Sequence, residues 1–384
     1  MLCTGLWDET TLKKDASCNK ICLVMAANYQ KEKPVSHTYD YESTDSEESD
    51  EEGLTLLQRA EHVRKSQGMF ETEVWFGEEA DSATLMKECK KNPGHYNFRH
   101  VSDFRQHHLP REYKERKLHR AIKTCADLTV KLSVFFTSRD RPEKYPGSDR
   151  LYPFYQSRGN FQYRRGGTGW VWKVEEYGEG KKEKSGPCEC QECKGSDNPH
   201  KVWWEIIIMT AAHVVFDESE CIKTYVTFWD EMKSKHCPVK LKGHGMGDSS
   251  IAADRGMFMC VTHDADFCRK LRTLCKRRAE LTGYCDDKFC TNDVRGLSVV
   301  ISHPHMDKKR ITLGYGIARV DEELASYYSY DADTCFGSSG GFVWAVGWGS
   351  HHGSVAPHSY GYEKNSDYLF STSHNKSGWS WPLN

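Results

Sequence analysis

From residue 125 onward the sequence predicts an all-β core, folded as a sandwich or barrel. Short strand-like runs recur: LTVKLSVFF (128–136), GWVWKVEEY (169–177), VWWEIII (202–208), TYVTFW (224–229), MFMCVTH (257–263), LSVVISH (297–303), ITLGYGIARV (311–320), GFVWAVGW (341–348) and DYLFSTS (367–373). Clusters of Gly, Pro, Asp and Ser separate them, and many short strands broken by such turn residues fold as antiparallel sheets. Aromatic residues make up 12% of the chain, enough rings to fill a sizeable interior. One stretch, 268–281 (CRKLRTLCKRRAEL), interrupts the pattern with helical character.

Composition narrows the class. The 384 residues allow two or three domains, and a hydrophobic content of 38% argues against wholesale disorder. Lys+Arg 53 against Asp+Glu 55 leaves a net charge of -2, so no global field favours nucleic acid. No apolar run approaches the ~20 residues a membrane span needs. The first residues, MLCTGLWDETTLKK, turn acidic at once and do not read as a secretory leader. The expected location is therefore cytoplasmic or nuclear, where the 16 cysteines would be reduced thiols, some of them metal ligands.

The N-terminal part is different in texture. Within residues 1–53, the stretch 40–52 (DYESTDSEESDEE) carries eight acids and no base; it repels itself, cannot bury a face, and is expected to be a disordered linker. Residues 54–124 read as a helical, basic extension. Leu54, Leu57, Ala60 and Val63 fall at helical spacing. Between 99 and 120 seven Lys/Arg stand against three acids. That stripe could track a polyanion, but it is more simply the polar side of a helix that turns Tyr113, Leu118, Ala121 and Ile122 inward.

Chemistry concentrates in the β region, 125–384. His213 follows the buried run ending at Ile208 and is preceded by the small residues Ala211 and Ala212, which leave room for a partner carboxylate beside the imidazole. Near the C-terminal end, Thr334-Cys335-Phe336-Gly337-Ser338-Ser339-Gly340-Gly341 lies between two strand-like runs. Its glycines let the main chain curl, so that the N–H groups of Gly337 and Ser339 can form an oxyanion hole beside the Ser339 hydroxyl. A serine is a weak nucleophile until a histidine takes its proton and a carboxylate orients that histidine. Asp264, at the end of a strand, is the expected carboxylate, with Asp266 and Asp254 as alternatives.

At this point the sequence resembles the chymotrypsin/trypsin-like serine peptidases. TAAHVVF resembles their histidine motif, HDADF their aspartate motif and TCFGSSGGFVW their serine motif, while GGTGWVW (166–172) resembles the strand that precedes the histidine strand in intracellular and bacterial members. The resemblance covers roughly 125–384. It implies two six-stranded antiparallel β-barrels with the catalytic residues His213, Asp264 and Ser339 in the cleft between them, behind an N-terminal extension that is partly helical and partly disordered. Val214 stands where secreted members carry a disulfide cysteine. Ser338 stands where digestive members carry the aspartate that pairs with a new amino terminus, which implies activity without zymogen clipping.

Two details stay open at this level. Asp333 occupies the position where trypsin-like members select a basic side chain. Thr334 and His358 instead resemble the pocket with which picornaviral proteases bind glutamine, and an amide suits a hydroxyl and an imidazole. Separately, Cys188, Cys190 and Cys193 within the hairpin insertion 178–201, followed by His200, could converge on one structural zinc, the fourth ligand being His200 or a cysteine elsewhere. The functional expectation is a serine endopeptidase acting on a protein or peptide through an acyl-enzyme, with no cofactor for catalysis; the alternative is a silent protease-fold module that binds peptides.

Overall fold

The computed structural model describes residues 54–146, 148–178, 186–188, 190–230, 238–291, 293, 295–321, 326–348, 355–361 and 369–373, with backbone alone at 318–321, 326–327 and 369–373. The acidic tract at 40–52, like all of 1–53, lies outside the described residues.

Alternating side chains set the first sheet. In β3 (Thr129–Val134), β4 (Tyr163–Gly178), β5 (Val202–Thr210), β6 (Thr224–Phe228), β7 (Val239–Ser250) and β8 (Arg255–Thr262), pairing runs β4-β3-β6-β7-β8-β5 and returns from β5 to β4. The six strands thus close into a ring. Every second residue points inward, and Val130, Leu132, Val171, Ile206, Ile208, Val226, Phe228 and Phe258 fill the interior. The 16-residue β4 serves three neighbours along its length, β1 (Glu73–Phe76), β3 and β5; an irregularity between Val171 and Lys173 marks its bend.

The second sheet follows the order β13-β12-β9-β10-β11-β15-β14, from β9 (Leu297–Ser302), β10 (Arg310–Asp321), β11 (Ser326–Tyr330), β12 (Phe342–Ala345), β13 (Val355–Pro357), β14 (Tyr360–Gly361) and β15 (Leu369–Ser373), with β2 (Arg99–His100) added beside β10. All its pairings are antiparallel. Among the described residues it forms an open path, so the expected all-β core is present while only the first sheet closes on itself. Trp170 and Met209 of the first sheet share one apolar cluster with Val299, Ile301, Phe342 and Trp344 of the second.

Two long helices seal that cluster. α3 (Arg116–Leu128) buries Leu118, Ala121, Ile122 and Cys125, a stripe at spacings of three and four. The basic residues between 99 and 120 thus lie partly on its outer side, and the helix runs across position 124 into β3. α6 (Ala265–Lys288) extends the helix expected at 268–281 in both directions and buries Phe267, Cys268, Leu271, Leu281 and Cys285. Shorter helices are α1 (Leu56–Lys65), α2 (Ser82–Lys87), α4 (Gln191–Lys194) and α5 (Glu218–Cys221). A capping box between Thr55 and Gln58 starts α1. Residues 54–124 belong to the same compact unit as both sheets. Among the described residues, no helix is long and apolar enough to cross a membrane.

Candidate active site

His213 sits in the turn that leaves β5. Its backbone is fixed from below by a buried ionic knot. Arg141 donates to the His213 carbonyl at 2.9 Å, and Arg165 donates to the Val214 carbonyl at 3.2 Å. Glu220 pairs with both guanidinium groups, at 2.7 and 2.8 Å. Burial would raise the Glu220 carboxyl, but the two cations outweigh it and hold the group down to about 2. A buried charge triplet of this kind depends on filled hydrogen bonds, and here carbonyls and the carboxylate take every guanidinium contact named above, while Arg165 Nε is left without a partner.

The imidazole is oriented by Asp254, not by Asp264. His213 Nδ1 lies 2.8 Å from Asp254 Oδ2 and 3.0 Å from Oδ1, and the His213 backbone N–H also donates to Oδ1 at 3.0 Å. The Ser359 hydroxyl donates to Asp254 Oδ2. Asp254 occupies the turn between β7 and β8 with φ of 45°, a left-handed conformation that Asp tolerates better than most residues. Asp264 does something else: it caps α6, its carboxylate accepting the Phe267 N–H at 2.9 Å, and it is solvent-exposed. Asp266 is likewise exposed and pairs with Arg269. The HDADF motif is thus a helix start, where a carboxylate satisfies amides that lack an intrahelical partner.

Ser339 completes the row. Its Oγ lies 2.7 Å from His213 Nε2, so with Nδ1–H given to Asp254, Nε2 is free to accept the hydroxyl proton. The glycine-rich turn is clamped by Thr168 of β4, whose N–H donates to the Ser339 carbonyl and whose hydroxyl donates to the Gly337 carbonyl, both at 2.8 Å. Gly337 has φ of 91°, and a Cβ there would stand 2.4 Å from the His303 carbonyl oxygen. Only glycine fits, and the resulting curl aims the N–H groups of Gly337 and Ser339 at one point.

That point is occupied by the chain itself. The Glu71 carbonyl accepts from Gly337 N–H at 2.6 Å and from Ser339 N–H at 3.3 Å, while Glu71 N–H donates to Ser339 Oγ at 3.0 Å. Residues upstream run as an extra antiparallel segment along β14: Phe70 bridges Tyr360, and Gly361 N–H donates to the Met69 carbonyl at 3.1 Å. The Phe70 ring lies 4.5 Å from the His213 ring.

The Glu71 side chain enters a buried pocket. Its Oε2 lies 2.7 Å from His358 Nε2, and the Lys91 ammonium pairs with Oε1. Lys91 also donates to Thr334 Oγ1 at 3.3 Å. The Tyr330 hydroxyl lies 2.5 Å from His358 Nδ1; donating there, it leaves the imidazole proton on Nε2, facing the carboxylate. Burial keeps His358 below its usual range. Burial would raise the Glu71 carboxyl, but Lys91 and the His358 hydrogen bond hold it down to about 2. Thr334 and His358 thus both stand in the hydrogen-bonded group around the Glu71 carboxylate. Asp333 does not: its carboxylate accepts from Asn97 at 2.6 Å, away from His358.

Beside the three cysteines of the hairpin stands His263, where the sequence had pointed to His200 or a further cysteine. Cys188, Cys190, Cys193 and His263 offer donor atoms within 4.8 Å of one another. His263 Nε2 stands 3.5 Å from Cys193 Sγ and 3.8 Å from Cys190 Sγ. His200 is exposed and stacks on the His263 ring at 3.8 Å, so it supports the cluster from outside. The distant His263, at the end of β8, was outside the reach of a spacing argument.

No family model matches the chain, and no curated protein matches it. Among solved structures, the chain is similar to the Rv3671c protease from M. tuberculosis in its active form, at 12% identity and a TM-score of 0.32 over 66% of this chain and 78% of that one. The inactive form gives the same identity and TM-score over 66% of this chain and 86% of that one.

Proposed function

We propose that the protein is a serine endopeptidase in which Ser339 attacks the scissile carbonyl, His213 carries the proton and Asp254 orients the imidazole. The observation that carries this reading is the unbroken buried row from Ser359 through Asp254 and His213 to the Ser339 hydroxyl, ending beside two N–H groups that converge on one carbonyl oxygen. In the reaction, Ser339 Oγ adds to the carbonyl carbon as its proton passes to His213 Nε2. The N–H groups of Gly337 and Ser339 stabilise the oxyanion, and losing one such donor costs on the order of 10²–10³ in turnover. The imidazolium then protonates the leaving nitrogen, and water hydrolyses the ester by the reverse path. On this reading the second sheet is the counterpart barrel, and the cleft between the sheets receives an extended peptide.

The test is a fluorophosphonate probe, which phosphonylates only an activated serine. The adduct is expected on Ser339 of the Glu71→Ala chain, whose pocket is vacated, and more slowly on the wild type. An adduct missing from both, under conditions that label a control protease, overturns the reading and favours a silent peptide-binding module.

A structural metal in the hairpin is part of the same proposal. Cys188, Cys190, Cys193 and His263 form a three-sulfur, one-nitrogen donor set that suits tetrahedral zinc. The short insertion carries little core of its own, and a metal would staple it to the end of β8. Its ligands lie apart from Ser339 in the chain and take no part in the chemistry.

A further inference from the structure

Residues 69–71 lie in the cleft with the contacts a substrate makes. The backbone pairs antiparallel with β14, a carbonyl sits between the two oxyanion donors, and a side chain fills the specificity pocket. Resting on the serine-endopeptidase reading, we propose that this chain is its own substrate: Ser339 cuts the bond between Glu71 and Thr72, and the pocket selects a glutamate side chain. Glutamate selection follows from charge. A neutral His358 can donate one hydrogen bond to a carboxylate or to an amide alike, so it does not distinguish Glu from Gln. The Lys91 ammonium does, because it finds a full negative charge only on glutamate. The pocket therefore has two walls of different origin, His358 and Thr334 from the second sheet and Lys91 from the extension.

The segment after the bond is held as well. Gln67 Nε2 donates to the Thr72 carbonyl at 2.7 Å, and Thr72 N–H donates to Gln67 Oε1 at 3.0 Å. This staple folds 67–72 into a tight loop and presents its apex to Ser339. On cleavage the Glu71 C–N bond breaks and the Thr72 nitrogen takes the proton from His213. Water then frees the Glu71 carboxylate from Ser339. Across the cut, Arg64 of α1 still pairs with Glu73 at 2.7 Å, and Ala60 packs in one cluster with Val74, Phe154 and Tyr163, so the two pieces stay together until denatured.

The test is intact-mass spectrometry under denaturing conditions on the purified full chain during incubation. The wild type is expected to give a fragment beginning at Thr72, and Ser339→Ala none. Glu71→Gln slows the cut roughly 10–100-fold, and Glu71→Lys abolishes it. A wild type that labels with fluorophosphonate and cleaves a glutamate-containing peptide, yet leaves its own bond intact, overturns self-cleavage while sparing the endopeptidase reading. Absence of both labelling and cleavage takes the endopeptidase reading down with it.

A second inference rests on a different cluster and needs no protease chemistry. Half-buried Cys89 and buried His95, His305 and Cys335 offer four donor atoms within 4.8 Å of one another. Cys89 and Cys335 sulfurs are 3.6 Å apart, and His95 Nε2 is 3.3 Å from Cys335 Sγ. His305 gives Nδ1 to Glu73 at 2.8 Å, while its Nε2 is buried with no hydrogen-bond partner. A carboxylate behind the histidine and an orphaned nitrogen in front of it is how proteins prepare a metal ligand. Both histidines also adopt left-handed backbone, with φ of 47° and 52°, a conformation that is uncommon outside glycine and persists where the surroundings enforce it.

The geometry points to a closed, structural zinc site at these four residues, tying the extension (Cys89, His95) to the turn that carries the nucleophile (Cys335). Metal analysis of the full chain expressed with zinc is expected to give two zinc per chain, one for each of the two clusters. Cys89→Ser combined with His95→Ala removes one, and Cys190→Ser removes the other. Cobalt titration of the wild type supplies a readout independent of variant folding: two equivalents should each add thiolate charge-transfer absorption. A single equivalent lost with Cys190→Ser, or a disulfide between Cys89 and Cys335 in the mapped protein, overturns this site.

Discussion

The two parts of the chain that meet at the cleft contribute different things. Residues from 125 onward supply the Asp254–His213–Ser339 row and the converging N–H groups of Gly337 and Ser339, each on a strand end or a turn braced by the sheets. The stretch 54–124 supplies the proposed target, Glu71, together with Lys91 beside its carboxylate and Cys89 and His95 behind the Ser339 turn. On the proposed reading the contrast separates the chemistry from the choice of charge. Changes in the Asp254–His213–Ser339 row should alter how fast any bond is cut, and changes at Lys91 should alter how glutamate fares against glutamine, with His358 and Thr334 of the same pocket coming from the first part.

The largest effect tests the first half of that division. Ser339→Ala should remove turnover on every peptide, a loss on the order of 10⁶ by analogy with serine triads, measured by peptide hydrolysis. Asp254→Asn comes next, with a fall on the order of 10⁴ because the imidazole loses its orienting partner. Its control is Asp264→Asn, expected within about threefold of wild type, since exposed side chains away from the chemistry rarely matter by more. If the two aspartates exchanged behaviour, the helix-cap assignment of Asp264 would fail.

Lys91→Met sharpens the second half. It should lower kcat/KM for glutamate peptides by roughly 10–100-fold while leaving glutamine peptides nearly unchanged. An equal loss on both would mean that Lys91 supports the fold and not the choice of side chain.

An effect of comparable size lies in stability. Glu220 is held at about 2 in the folded chain against 4.5 for a free carboxyl. A depressed carboxylate stabilises the fold above its unfolded pKa and loses that contribution as pH falls through the folded value. About 3 kcal/mol should therefore disappear between pH ~4.5 and ~2. Denaturant midpoints across that window check it. The Glu220→Gln chain should take up one proton fewer on unfolding, and an unchanged acid slope would remove Glu220 from the account.

The sequence made His213 and Ser339 legible because each lies in a local pattern, small residues after a buried strand and glycines around a serine. Asp254 carries no such pattern: it is one residue in a turn, and only the register of β7 and β8 brings it to His213. Asp264 drew the assignment because it follows a strand. Yet an aspartate placed just before a long basic segment of helical spacing also suits a helix cap, its carboxylate accepting the N–H three residues on. β7 carries glycines and lysines in place of an alternating apolar pattern, and β11 is a short run of tyrosines and serines, so neither stands out as a strand in the sequence. Three cysteines lie close in sequence, whereas His263, the fourth donor beside them, comes from another strand end. Cys89, His95, His305 and Cys335 span some 246 positions, as Glu71 and Ser339 span 268, and contacts at such separations exist only in the folded chain.

The most direct measurement uses a decapeptide with the sequence of residues 66–75, SQGMFETEVW, incubated with the Glu71→Ala chain and followed by mass spectrometry. One cut is expected, after the glutamate that precedes threonine, and none when Ser339→Ala is added to the same chain. A peptide left whole, or cut equally well without the Ser339 hydroxyl, contradicts the proposed cleavage.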